Sequence, residues 1–173
     1  MNLLVEQWRS QFALGEIPFY FVQIAPYAYG DGVDGISAAL LREQQWKAAQ
    51  IIPNSSLVCV NDLTYPFEYT QIHPTQKRQV GERLAWTALN RDYGMEAVLY
   101  KSSSYKDMLV KDGAIYIHLQ DNYHADAPFE DIRGFEIAGE DRVFHPATAQ
   151  HFWQPGGDYW DEAIKVSSPE VPN

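Results

Sequence analysis

Apolar residues recur at helical spacing in three stretches, with short continuous apolar runs between them. Leu3, Leu4, Gln7, Trp8, Gln11 and Phe12 share one face of a predicted helix, with Gly15 placed to end it. Residues 18–25 form a nearly unbroken apolar and aromatic run, the pattern of a strand buried on both faces. A Gly- and Asp-rich loop is expected over 27–34. Leu40, Leu41, Gln44, Ala48 and Ile51 predict a second helix over 36–52, broken at Pro53-Asn54-Ser55. Residues 57–60 read as a second buried strand, and 61–73 as a polar and aromatic loop. Residues 74–93 read as a third helix, with Pro74 at its first position.

Two buried strands separated by a helix imply a parallel crossover. Two strands are too few for a sheet covered by helices on both faces, so further strands are expected upstream or from another chain. Beyond residue 95 the pattern changes to strand after strand. Residues 97–100 start one. Met108-Leu109-Val110 and residues 114–119 flank Lys111-Asp112-Gly113, a hairpin signal. Further strands are expected at 134–138, 143–145 and 164–166, with a loop over 154–161. The expected fold class is α/β: a partial three-layer parallel sheet in residues 1–95, followed by a small antiparallel β-sandwich in 96–173.

Composition narrows the function. The chain has 173 residues, 46% of them apolar, enough for a real core. Its net charge is −10 and no basic run occurs, which argues against a phosphate-binding surface and so against nucleic acid. No apolar stretch is long enough to span a membrane. The single cysteine, Cys59, cannot form an intrachain disulfide and sits in an apolar run, as a buried thiol would. Aromatics, at 14%, are assigned mainly to the core, although Trp and Tyr also stack on sugars. The opening residues lack the features of a secretory signal.

The segment with most chemical content is Asn61-Asp62-Leu63, then Gln71-Ile72-His73-Pro74, Lys77, Val80-Gly81 and Arg83-Leu84-Ala85. His73 follows a predicted strand and precedes a predicted helix. Ligand sites in open α/β sheets lie at the carboxyl ends of strands. The positive end of a helix dipole would disfavour the imidazolium form and suit a general base. Position alone fits either a base or a helix cap. His118, His124, His145 and His151 show no metal-ligand spacing.

A strand ending in Asn-Asp-Leu, a loop, and then Ile-His-Pro-x-x-Lys-x-x-Val-Gly-x-Arg-Leu-Ala resembles the last block of the sialate O-acetylesterase branch of the SGNH hydrolases. Trp8-Arg9 and residues 18–27 resemble that family's middle strand, and Leu41-Arg42-Glu43-Gln44-Gln45 its next helix. Residues 135–139, 144–147 and 166–169 resemble the β-domain that follows in many members. The parallel-sheet part is therefore expected to be the C-terminal half of an SGNH-type domain.

The resemblance implies hydrolysis of acetyl esters on sugars, sialic acid or a related sugar being the partner, by serine attack with histidine as base. His73 is the implied base. The family's serine lies in a Gly-Gln-Ser-Asn-like segment that nothing in this chain matches, so the chain alone is expected to be inactive. Positions two and three before the histidine, often aspartate in the superfamily, are Gln71 and Thr70. Asp62 is the first candidate to orient His73 and Glu68 the reserve; Asp62 could instead only cap its loop. Gln23, Tyr27, Arg42 and Gln44 are candidates to line the cleft. No cofactor or metal is implied, and the parent is expected to be periplasmic or secreted. The alternative function is a non-catalytic sugar-binding or interaction module. The cluster Phe152, Trp153, Tyr159 and Trp160 reads as a sugar-stacking loop or a flap.

Overall fold

The computed structural model describes residues 1–29, 37–120, 132–153 and 162–171. The chain divides into two compact units, Met1–Lys101 and Ser102–Asn173. The expected loop over 27–34 lies mostly outside the described residues, as do His124, Tyr159, Trp160 and the loop at 154–161.

The first unit runs α1 (Asn2–Phe12), β1 (Phe19–Val22), α2 (Ser37–Ile51), β2 (Ser55–Val58), two short 3-10 turns and α3 (Lys77–Arg91). β1 and β2 pair in parallel, with Phe19 opposite Ser55 and Val22 opposite Val58. The core is Val58, Val60 and Leu63, packed by Val22, Ala25, Val80 and Leu84. Both faces of β1 are only half-buried, and the middle of β2 likewise, so the expectation of strands buried on both faces is corrected. The apolar run reflects aromatic packing instead: Trp8 meets Phe19 edge-on at 5.9 Å, and Phe19 meets Phe21 at 5.7 Å.

Local chemistry moves three expected boundaries. α1 ends at Ala13, whose left-handed backbone (φ 52°) lets its N–H reach the Arg9 carbonyl, so Ala13 and not Gly15 is the cap. α3 starts at Lys77, not Pro74. Residues 97–100 are not a strand: the Asn90 side-chain amide donates to the carbonyls of Glu96 and Val98 and holds them in a turn.

Arg9 joins the first helix to both strand entrances. Its guanidinium donates to the carbonyls of Ile17 (2.8 Å from Nη2), Pro53 (2.7 Å) and Asn54 (3.4 Å). These are the segments that lead into β1 and β2, so one forked side chain fixes where the parallel pair begins.

The second unit contains a four-stranded antiparallel sheet and a separate hairpin. The sheet order is β3 (Ser104–Lys111), β4 (Ala114–Gln120), β8 (Glu162–Ser167) and β7 (Thr148–Trp153). The hairpin pairs β5 (Glu136–Ala138) with β6 (Phe144–Pro146). β3 and β4 are joined by Asp112 and Gly113, both at positive φ (50° and 69°), the two-residue turn that the sequence signals. β7 was not anticipated: Thr148, Gln150 and His151 make its pattern polar, and it is held by pairing with β8 from Thr148↔Ser167 to Trp153↔Glu162. One face carries Ile115, Ile117, Ile164 and the fully buried Val166. Neighbouring positions on the other face bring Tyr116 edge-on to Phe152, with Lys165 over the Tyr116 ring.

Candidate functional site

The site is assembled at the carboxyl ends of β1 and β2. Val22 and Gln23 come from the first, Val60 and Leu63 follow the second, and Ile72, Pro74, Gln76, Lys77 and Val80 approach from the segment that enters α3. Together with Ala25 they enclose a cavity of about 130 Å³. His73 is exposed and lies between Ile72 and the buried Pro74, both of which line the cavity. A residue before proline is biased away from helical backbone, and Pro74 itself precedes the helix rather than starting it. His73 is therefore three residues outside the α3 cap, Gln76, and the expected direct contact with the helix N-terminus is corrected.

The two carboxylate candidates have different partners. Arg83 donates to both oxygens of Asp62, at 2.8 and 2.5 Å, and to the Cys59 carbonyl at 2.7 Å. Burial pushes the Asp62 carboxyl up, but the hydrogen bonds and charge of Arg83 outweigh it and hold the group below the usual carboxylate range. The same pairing pushes the Arg83 guanidinium up. Burial also pushes the free Cys59 thiol up, as suits a structural cysteine rather than a nucleophile.

Glu68 is only 3% exposed. Its carboxylate accepts the Tyr65 N–H at 3.0 Å and the Thr75 N–H at 2.9 Å. Hydrogen bonding from Thr75, and then from the Tyr65 backbone, lowers its pKa against the effect of burial. Neither Asp62 nor Glu68 bonds to the His73 ring.

Of the four cleft candidates, Gln23 and Arg42 come together, through the Gln23 amide donating to the Arg42 carbonyl at 3.2 Å. Gln23 lines the cavity, and its Oε1 is buried without a partner among the described residues. Tyr27 packs edge-on against Tyr29 at 5.1 Å, and the intervening Ala28 N–H donates to the Tyr69 carbonyl, tying this loop to the His73 segment. Gln44 is exposed on α2. Its neighbour Gln45 does what sequence reasoning missed, accepting the Ile24 N–H at the end of β1 (3.0 Å). The Glu68 contacts were also missed, although Tyr65-Pro66-Phe67-Glu68 has the spacing of a capping box.

Among the described residues no group of three His, Cys, Asp or Glu could hold a metal, and no helix is long and apolar enough to cross a membrane. The layout is that of an α/β protein with a ligand crevice beyond the ends of parallel strands. No protein-family model matches the chain, and no curated protein matches it significantly. Among solved structures it is similar to a carbohydrate acetylesterase from Xanthomonas citri, with a TM-score of 0.73 and 31% identity. That likeness covers 99% of this chain, which spans 37% of the length of the Xanthomonas protein.

Proposed function

We propose that this chain is part of a carbohydrate O-acetylesterase, in which His73 is the general base and the nucleophilic serine is contributed by polypeptide outside these residues. The observation that carries the reading is the 31% identity to a carbohydrate acetylesterase over 99% of the chain, with an exposed histidine between two residues, Ile72 and Pro74, that line a strand-end cavity. In this reading His73 takes the serine proton as the serine attacks the acetyl carbonyl, and passes it to the leaving sugar oxygen as the ester bond breaks and the acyl-enzyme forms. Gln23, on the cavity wall, offers an unsatisfied acceptor to a substrate N–H or O–H. Arg83 engages both oxygens of Asp62, so Asp62 acts by fixing the end of β2 rather than by orienting the imidazole. An O-acetylated sialic acid or a related sugar is the proposed substrate, and association with a strand-bearing segment completes the two-stranded sheet.

The test is hydrolysis of p-nitrophenyl acetate and of O-acetylated sugars by the chain alone and co-expressed with the polypeptide encoded immediately before it. Each sample is compared with its His73→Ala counterpart. Hydrolysis that needs both the added polypeptide and His73 is expected. Sugar binding without hydrolysis in any combination would sink the esterase reading in favour of a binding module.

A further inference from the structure

We propose that Glu68 is the positioning residue of this site: its buried carboxylate, bonded to backbone N–H groups on either side of His73, sets the path on which the imidazole is presented. This rests on His73 being the base.

A carboxylate at 3% exposure is costly unless its charge is met. Here it is met by the N–H of Tyr65 before the loop and of Thr75 after it, with a weaker attraction from Lys77. After the 3-10 turn at Pro66–Glu68, the segment up to Thr75 holds no helix or strand to define its course. It is instead pinned at a few points. The Gln71 N–H donates to the Glu68 carbonyl at 2.7 Å, the Tyr69 carbonyl accepts from Ala28, and Pro74 is buried. His73 is the exposed residue immediately before that buried proline. Without Glu68 the far end of the loop loses its fixed point, because the Thr75 N–H precedes the first turn of α3 and has no carbonyl four residues back in a helix to reach. Both Glu68 oxygens are taken up by Tyr65 and Thr75, so the residue acts on the loop and not on the ring.

The experiment uses the whole chain as wild type, Glu68→Gln and Glu68→Asp. Gln replaces one acceptor with an NH₂ facing an N–H, and Asp is too short to reach both donors. Amide hydrogen exchange at Tyr65 and Thr75 is followed by NMR. Kinetics on p-nitrophenyl acetate are measured with the serine-bearing polypeptide present. Expected in Glu68→Gln are exchange at both amides faster by about tenfold or more and unchanged spectra outside residues 61–77. A fall in kcat of about 10- to 100-fold at constant KM should accompany them, the scale of a small misplacement of a catalytic group. Glu68→Asp should fall between. Unchanged amide exchange, or lost protection with unchanged kcat, would overturn the proposal. A wild type without His73-dependent hydrolysis overturns instead the esterase reading on which it stands.

Discussion

Arg83 grips both carboxylate oxygens of Asp62 while also donating to the Cys59 carbonyl, so one side chain of α3 closes the end of β2. The Arg83 side chain is 23% exposed and that of Asp62 61%, which leaves the pair largely screened by solvent. Asp62→Asn should therefore cost only about 1 kcal/mol in urea unfolding near neutral pH. Because the folded carboxyl is held low, the pair's contribution is complete above the ordinary aspartate range. It is lost as pH falls below about 4 and through the lowered folded value. The stability difference between wild type and Asp62→Asn should accordingly shrink in acid; a difference independent of pH would refute the assignment.

Arg9 presents a different case, since its guanidinium meets only carbonyls at the entrances of both strands. Arg9→Ala should cost about 2–3 kcal/mol, and Arg9→Lys should recover less than half, because an ammonium lacks the planar spread of Nε and Nη2 donors that holds Ile17 at two points along with Pro53. Denaturant midpoints of the three proteins measure this directly.

Tyr20 should be among the last tyrosines to ionise. Burial, and then the hydrogen bond to Asp92 (2.7 Å), push its hydroxyl up to about 12. Stability from the neutral hydroxyl is therefore full below the ordinary tyrosine value near 10 and is lost as pH rises toward 12. Absorbance titration at alkaline pH should show one late phase, absent in Tyr20→Phe.

In the second unit, Val166 is 0% exposed and lies between Ile115 and Ala149 on neighbouring strands. Val166→Ala should destabilise that unit by about 2 kcal/mol through lost burial and the cavity left behind. Thermal unfolding of the variant, with the β3–β4–β8–β7 sheet as the reporter, checks it.

At the β3–β4 turn, Gly113→Ala should cost about 1–2 kcal/mol, because its φ of 69° admits a side chain only with strain. A cost near zero would mean that the turn relaxes.

Periodicity made the helices legible: Leu3, Trp8 and Phe12 marked α1, and residues 36–52 anticipated α2 closely. Turn chemistry made Asp112-Gly113 legible as well. What stayed hidden was set by side chains reaching across sequence. Nothing local in residues 97–100 reveals that Asn90 will bend them, and the polar pattern of β7 has meaning only beside β8. The position of His73 could be read, including its place after a strand. Its surroundings could not: that Asp62 turns to Arg83 rather than to the imidazole, and that Glu68 reaches the Thr75 N–H, are contacts across the loop that no local pattern signals.

The parallel register of β1 and β2 also bears on how the protein is made. Phe19 finds Ser55 only after all of α2 has been synthesised, whereas Lys111 meets Ala114 across a two-residue turn. On a ribosome adding residues one at a time, Phe19-Tyr20-Phe21-Val22 must wait as a bare aromatic strand until its neighbour emerges. That interval is when the nascent chain is most exposed to wrong partners. Changes that slow α2 should therefore reduce the yield of folded protein more than its final stability.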